Sequence, residues 1–177
     1  MGNHRTLVVF FSRSGTTRLV AEALSEMLDC DLEEITEPIS RIGFRGYSRS
    51  LLQAIRRRAS RIAPIARDVS SYDLVIVGTP VFAWSVSPPV RAYLMATAPR
   101  LPEVAFFATL GGAGSERAFA QMAAIIGKRP RAVCAITQRE VASGRHLEKL
   151  SALAKALQPG PRAAAPSLED RSPRLAR

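Results

Sequence analysis

Short apolar segments of strand length alternate with segments of helical periodicity along most of this chain. Four apolar runs occur at Leu7–Phe11, Leu74–Val77, Val104–Ala108 and Ala132–Ile136. They are continuous rather than alternating, which is typical of strands covered on both faces in a parallel sheet. A weaker run, Asp31–Thr36, mixes apolar and acidic residues and predicts an edge strand.

Helical patterns separate these runs. The first, Thr17–Leu28, carries apolar residues on one side. A serine before two prolines, Ser87–Pro89, predicts a helix start, and that helix should end before Pro99. Two further helices are predicted at Ser115–Gly127 and at about Arg145–Leu157.

The segment between the second and third strands is rich in arginine. Its apolar residues fall on one helical stripe and predict a surface helix: Leu51, Leu52, Ile55, Ala59 and Ile62. No acidic residue lies between Glu37 and Asp68, whereas eight arginines do: Arg41, Arg45, Arg49, Arg56, Arg57, Arg58, Arg61 and Arg67. The pattern favours a solvated helix face.

Strict alternation of five strands and five helices predicts an α/β fold with a doubly wound parallel sheet and helices on both faces. We expect one domain over residues 1–157. Residues 158–177 are rich in Pro, Ala and Arg and have almost no large apolar side chains, so we expect a disordered basic tail there.

Charge and composition narrow the function classes. The formal net charge is +10, and 22 of the 25 basic residues are arginines. Such a charge attracts nucleic acid and other anions, but few aromatic residues interleave the arginine run, which disfavours nucleic-acid recognition. No apolar run approaches the ~20 residues of a membrane span. The N-terminus leads directly into the first strand, so we expect no secretory signal and a cytoplasmic protein.

The cysteine and histidine content favours neither a disulfide nor a metal site. Cys30 and Cys134 lie in separate apolar segments without a CxxC pattern, and the chain has two histidines. We expect both thiols to be small buried groups in a reducing compartment. No metal is expected.

Ser12-Arg13-Ser14-Gly15-Thr16-Thr17, which we call the phosphate loop, joins the first strand to the first helix. Free backbone N–H groups and the positive end of the helix dipole bind phosphate at such junctions. The hydroxyls add donors, and a glycine lets the backbone approach closely or take a positive φ. Neither the lysine of a Walker loop nor a GxGxxG pattern is present, which disfavours ATP and NAD in their usual sites. A serine- and threonine-rich helix cap without a ligand is the alternative.

Two more loops follow strands at the same edge of the predicted sheet. Thr79–Trp84, the first ring loop, contains the only tryptophan, and Leu110–Gly114, the second ring loop, consists mostly of small residues. A planar aromatic ligand that carries a phosphate would fit between them. For Trp84 the alternative is an ordinary half-buried core position.

These three loops, in this order and after these strands, resemble the flavodoxin-like family. Its phosphate loop has the pattern [S/T]-x-[S/T]-G-x-[T/N], which Ser12, Ser14, Gly15 and Thr17 match. The resemblance covers residues 5–157 and implies strand order 2-1-3-4-5 with FMN at the switch between the first and third strands. The cofactor-binding residues would be Ser12, Arg13, Ser14, Gly15, Thr16, Thr17, Thr79, Pro80, Val81, Phe82, Ala83, Trp84, Leu110, Gly111, Gly112, Ala113 and Gly114.

Two departures from the family bear on function. Flavodoxins commonly place a tyrosine in the second ring loop and are acidic, whereas this chain has Gly-Gly-Ala-Gly there and is basic. One face of the flavin ring would therefore be open to a substrate. No side chain stands out as an acid or base, which fits hydride or electron transfer by the flavin itself.

The resemblance implies a cytosolic FMN-dependent oxidoreductase. It would pass electrons from a reduced nicotinamide or a protein donor to a quinone-like or other acceptor. One alternative is an electron carrier without substrate turnover, and another is an arginine-rich binding module on a flavin-free scaffold. Ile39–Ser50 leaves the same sheet edge, so Phe44, Arg45 and Tyr47 would fold over the phosphate end or receive an anionic substrate. A homodimer, in which a neighbour completes the open ring face, is a further hypothesis.

Overall fold

The computed structural model describes residues 5–37 and 62–158, and in these ranges six strands form one sheet. The strands are β1 (Thr6–Phe10), β2 (Asp31–Glu34), β3 (Leu74–Phe82), β4 (Ser85–Val86), β5 (Glu103–Leu110) and β6 (Val133–Thr137). Five are parallel, in the order β2-β1-β3-β5-β6, and β4 pairs antiparallel with the end of β3. The predicted order 2-1-3-4-5 of the parallel strands is confirmed.

Helices connect the strands and cover the sheet. They are α1 (Thr16–Leu28), α2 (Pro88–Thr97), α3 (Ser115–Ile126), α4 (Gln138–Ala142) and α5 (His146–Leu157). Short 3₁₀ turns occur at Val69–Ser71 and Ala98–Arg100. The predicted helix bounds agree with α1, α2, α3 and α5 to within one residue at nearly every end. The N-cap Ser87 and the closing Gly127 lie where the sequence places them.

Two apolar clusters, one on each face of the sheet, form the core. Alternate residues of β1 point in opposite directions, so that Val9 joins one cluster and Val8 the other. One cluster includes side chains of α2 and α3: Val90, Leu94, Phe119 and Met122. The other includes side chains of α1 and α5: Val20, Leu24, Leu150 and Leu153. The apolar runs of β1, β3 and β5 are therefore buried on both faces, as predicted, whereas β6, at the end of the strand order, leaves Val133 50% exposed.

β2 pairs with β1 alone within the described ranges, in agreement with its prediction as an edge strand. Its first residue, Asp31, accepts a hydrogen bond from the Tyr72 hydroxyl (2.6 Å) and pairs with the Arg67 guanidinium (2.9 Å). The hydrogen bond with Tyr72, more than the charge of Asp31, raises the pKa of Arg67. This member of the arginine run thus attaches the following segment to the sheet edge.

The structure adds two elements that the sequence did not predict. β3 continues beyond the predicted Leu74–Val77 to Phe82 and turns back into β4. The short helix α4 begins with a capping box, in which Thr137 and Glu140 satisfy each other's backbone N–H groups. A hydrogen bond from the Lys149 ammonium, followed by the Thr137 N–H, lowers the pKa of Glu140 to about 2.

Several predictions fall outside the described residues. The arginine-rich crossover helix up to Arg61, the segment Ile39–Ser50 and the tail after Gln158 are among them, and the predicted domain division stays a prediction. In the ranges that are described, no helix has the length and apolar character needed to cross a bilayer.

Candidate functional site

The phosphate loop wraps around the N-terminus of α1. Gly15 precedes the helix with φ +91° and ψ −20°, a conformation that side chains other than glycine rarely adopt. A β-carbon there would meet no atom within 4 Å. The requirement for glycine at this position is therefore conformational rather than steric.

The Ser12 side chain stabilises the conformation of the phosphate loop through hydrogen bonds. Its hydroxyl oxygen accepts hydrogen bonds from the backbone N–H groups of Gly15 and Arg18, both at 3.2 Å. The Ser12 O–H stays available as a donor. Thr16 and Thr17 open the helix, so their N–H groups have no acceptor within the helix.

The remaining hydroxyls of the loop divide between surface and core. Ser14 is exposed, and its hydroxyl lies 3.4 Å from that of half-buried Thr16. Thr17 is buried, and its hydroxyl lies 2.7 Å from that of Thr109 in β5. Thr17 therefore offers a ligand its backbone N–H, while its side chain ties the phosphate loop to the strand that leads into the second ring loop.

The first ring loop is mostly part of β3. Thr79 and Pro80 are buried, and the Thr79 hydroxyl accepts a hydrogen bond from the Ser87 N–H at 3.1 Å. Ala83 and Trp84 form the two-residue turn between β3 and β4, with φ +46° and +56°. Positive φ at both positions is what a type I′ hairpin turn requires. The exposed end of this loop is thus the segment Phe82–Trp84, which we call the hairpin tip.

The second ring loop begins in the sheet and ends at a helix. Leu110, the last residue of β5, is buried, and Gly111, Gly112 and Ala113 are exposed. Gly114 precedes α3 with φ +104°. A β-carbon on Gly114 would come within 2.2 Å of Trp84 Cδ1 and 2.9 Å of Trp84 Cα, so only glycine lets the hairpin tip approach this closely.

Three contacts connect the three loops in pairs. The Thr17–Thr109 hydroxyl pair joins the phosphate loop to the strand below the second ring loop. The packing of Trp84 on Gly114 joins the two ring loops. The Arg13 guanidinium lies 5.8 Å from the centroid of the Phe82 ring and joins the phosphate loop to the hairpin tip. Residues that are separated by up to about 100 positions in sequence thus border one region at the carboxyl edge of the sheet.

The donor set of this region fits an anion. The phosphate loop contributes hydroxyl and backbone N–H groups and contains no carboxylate. The neighbouring Arg18 guanidinium is already paired with Glu34 at 2.7 Å. A phosphate at the end of α1 would also lie at the positive end of the dipole of a helix of 13 residues.

Thiol and metal chemistry find no support in the described ranges. Burial, with smaller contributions from Asp31 and Asp29, raises the pKa of Cys30 to about 11, and burial also raises the pKa of Cys134. Both thiols are therefore protonated at neutral pH, which makes them poor nucleophiles. Within residues 5–37 and 62–158 no group of three His, Cys, Asp or Glu side chains is placed to hold a metal ion.

Sequence reasoning missed two residues that shape this region. Thr109 stands in an apolar strand, where a lone hydroxyl gives no sign of its partner. Gln121 on α3 accepts a hydrogen bond from the Val86 N–H (3.2 Å), and its amide nitrogen lies 3.4 Å from the Ser85 hydroxyl. It thereby fixes β4 to the helix, and a single polar residue on an amphipathic helix carries no signal of that role.

The sequence model of one family, described as flavodoxin, matches residues 5–134. No curated protein matches the sequence significantly.

Solved structures share the fold. A flavoprotein from Lactobacillus acidophilus NCFM in complex with FMN is 24% identical with a TM-score of 0.67, over 80% of this chain and 98% of its own. The apo-form of the flavoprotein from Lactobacillus acidophilus NCFM is 23% identical with a TM-score of 0.61, over 79% and 96%. Two-electron reduced Megasphaera elsdenii flavodoxin is 17% identical with a TM-score of 0.51, over 85% and 98%.

Proposed function

The chain belongs to the flavodoxin family, and from that premise we propose that it binds FMN and acts as an oxidoreductase. It would pass electrons from a reduced nicotinamide or a protein donor to a quinone-like or other acceptor. The observation that carries the proposal is that the phosphate loop contacts the hairpin tip and the strand leading into the second ring loop, while the two ring loops contact each other. The similar Lactobacillus flavoprotein was solved with FMN, which supports this choice among phosphate-bearing aromatic ligands.

The phosphate loop would bind the FMN phosphate without a lysine. The hydroxyls of Ser12, Ser14 and Thr16 would donate to the phosphate oxygens together with the free N–H groups that open α1. Arg13 is exposed and has no carboxylate partner among the described residues, so its charge would add to the attraction. Because these donors are already positioned in the protein without a ligand, binding the phosphate costs less conformational entropy.

The two ring loops would hold the flavin ring. Trp84 is 58% exposed at the hairpin tip and would lie against it. Gly111–Ala113 would leave the other face uncovered, because they carry at most a methyl group. Backbone N–H groups of this loop would favour the anionic reduced form of the ring.

FMN supplies the redox chemistry when it is bound, by accepting and donating one or two electrons. The protein's own residues orient it and leave it accessible. None of the three loops contains Asp, Glu, His or Cys, so they provide no general acid or base. This composition fits transfer of a hydride or of electrons through the flavin itself. A cytoplasmic location and a homodimer stay predictions.

An electron carrier without substrate turnover is the second candidate, favoured by the exposure of the hairpin tip, where a protein partner would find Phe82 and Trp84 accessible. Turnover distinguishes the two candidates. Oxidation of NADH or NADPH by a quinone, with no added reductase, would establish the oxidoreductase and eliminate the pure carrier.

The absorption spectrum of the purified protein tests the cofactor. We expect the visible bands of oxidised flavin, and release of the chromophore should yield FMN rather than riboflavin or FAD. A colourless protein that takes up no added FMN would overturn the proposal. If such a protein also bound nucleic acid with steep salt dependence, the arginine-rich binding module would replace it.

A further inference from the structure

The hairpin tip exposes two large aromatic side chains next to each other. Phe82 is 47% exposed and Trp84 is 58% exposed, although most apolar residues of the fold are buried. Phe82 is the last residue of β3 and Trp84 lies in the turn that follows it, at the carboxyl edge of the sheet. Aromatic residues grouped on a surface are characteristic of the centres of protein–protein interfaces.

Arginines lie on two sides of this tip. On one side, the Arg13 guanidinium lies over the Phe82 ring at 5.8 Å from its centroid, within cation–π distance. On the other side, the Arg91 guanidinium donates to the Gln121 side-chain oxygen at 3.2 Å. The same oxygen accepts the Val86 N–H, so Arg91 lies beside β4.

The helical periodicity of α3 places a third arginine, Arg117, beside the hairpin tip. Gly114, Arg117 and Gln121 are three and four residues apart and therefore lie on one stripe of the helix. Gly114 contacts Trp84 and Gln121 contacts Val86, so the stripe faces the hairpin. Arg117, which is exposed, lies between these two contacts and next to the tip.

None of these three arginines forms an ion pair in residues 5–37 and 62–158. The cations paired with carboxylates in those ranges are Arg18, Arg67, Arg100, Arg131 and Lys149. Glu116 is the sequence neighbour of Arg117 and lies in the first turn of α3. The aromatic tip is thus bordered by an excess of uncompensated positive charge.

We propose that the hairpin tip with Arg13, Arg91 and Arg117 is the docking surface for an acidic redox protein. This inference rests on the proposed FMN site, which it places directly beside the docked partner. A protein fits better than a small ligand because the hairpin tip projects outward and its aromatic side chains are exposed. Arginine and aromatic side chains are enriched in interface centres, and positive charge selects an acidic partner.

In the encounter, electrons pass from the acidic partner to the FMN-loaded protein. Two molecules of a reduced one-electron carrier each lose one electron. The FMN-loaded protein gains both electrons, together with one proton from solvent. No bond between the two proteins forms or breaks, so the docking surface acts only through the rate and lifetime of the encounter.

Stopped-flow reduction of the FMN-loaded protein by an acidic [2Fe–2S] ferredoxin tests this surface. We expect the second-order rate constant to fall at least tenfold between about 20 mM and about 0.5 M NaCl, as electrostatic steering is screened. The double variant Arg91→Glu/Arg117→Glu should react roughly tenfold more slowly at low salt and like the parent at high salt. Arg13 is kept, since it belongs to the phosphate loop.

Arg129→Glu is the matched control. It makes the same charge change as Arg91→Glu or Arg117→Glu alone, the single variants with which it is compared, at an exposed position beyond the opposite end of α3, about 18 Å from the tip by helix length. We expect its rate constant to stay within about twofold of the parent value.

Equal slowing by Arg129→Glu and by either tip substitution would overturn the docking surface and leave only the effect of net charge. An FMN-loaded protein whose reduction is insensitive to salt would also overturn it, with the proposed function intact. A protein that takes up no FMN would overturn both proposals.

Discussion

The phosphate loop and the hairpin tip both require residues at positive φ, but they place different residue types there. The phosphate loop uses a glycine, Gly15 at +91°, whereas the hairpin tip uses Ala83 and Trp84 at +46° and +56°. A non-glycine residue in this region is destabilised by roughly 1–2 kcal/mol. The tip therefore keeps a strained turn, and this turn is what presents Trp84 to solvent.

Their attachment to the rest of the molecule also differs. The phosphate loop is fixed by two hydrogen bonds to Ser12 and by the buried Thr17–Thr109 pair. The hairpin tip packs through Trp84 on Gly114 of the second ring loop, in which Gly111, Gly112 and Ala113 are exposed. The difference indicates that the phosphate end is formed before a ligand binds, whereas the ring end depends on how Trp84 packs on Gly114.

Gly15→Asp gives the largest expected effect. It places a carboxylate in the phosphate loop and a side chain at a φ that resists one, so FMN should bind roughly 100-fold more weakly. Riboflavin, which has no phosphate, should lose much less. Dissociation constants of both, measured by quenching of Trp84 fluorescence, check this.

The control for this variant is Gly127→Asp. Gly127 also has a positive φ, +66°, and a β-carbon there would likewise meet no atom within 4 Å, but this glycine lies at the far end of α3. The substitution should lower stability without changing FMN affinity. Unchanged FMN binding by Gly15→Asp would refute the role of the phosphate loop.

Gly114→Ala tests the ring end. The new methyl group would overlap Trp84 and must displace it, so FMN and riboflavin should both bind about tenfold more weakly, a loss of about 1.4 kcal/mol. Gly127→Ala, which also has a positive φ but open space around its β-carbon at the far end of α3, should change neither dissociation constant. Selective loss of FMN alone would contradict the assignment of Gly114 to the ring.

Thr17→Val tests the buried connection between the two ends. It leaves the Thr109 hydroxyl buried without its partner, so the free energy of unfolding should fall by about 1–2 kcal/mol. Urea denaturation of Thr17→Val, Thr109→Val and the double variant forms a double-mutant cycle. Strictly additive losses would show that the two hydroxyls do not interact.

Ala83→Gly should have the smallest effect, and the opposite sign. It relieves positive φ at the hairpin tip and should raise the free energy of unfolding by roughly 0.5–1 kcal/mol. Thermal unfolding monitored by circular dichroism measures it. A lower melting temperature would indicate that the tip is not strained at this position.

Much of the candidate site was predictable because loops at strand ends carry local signals. The hydroxyls and glycine of the phosphate loop predicted a phosphate site at the start of α1, and that role stays a prediction. Thr79, Pro80 and Leu110 were predicted as cofactor-binding residues, and their side chains are buried at the ends of the strands. A contact between their backbone atoms and the flavin ring stays a prediction. The hairpin turn left no signal, because Ala-Trp lacks the Asn-Gly or Gly-Gly pattern of type I′ turns.

The amino-acid sequence by itself determined the α/β fold and the glycine and hydroxyls that join the first strand to the first helix. These follow from hydrophobic periodicity and from residue types whose conformational preferences act within a few positions. The parallel strand order was what the resemblance to the flavodoxin-like family implied. Only the tertiary structure decided that Thr17 bonds Thr109, that Trp84 packs on Gly114 and that Arg91 and Arg117 border the tip. Such contacts join residues distant in sequence, and packing of several elements at once selects them, which no local pattern encodes.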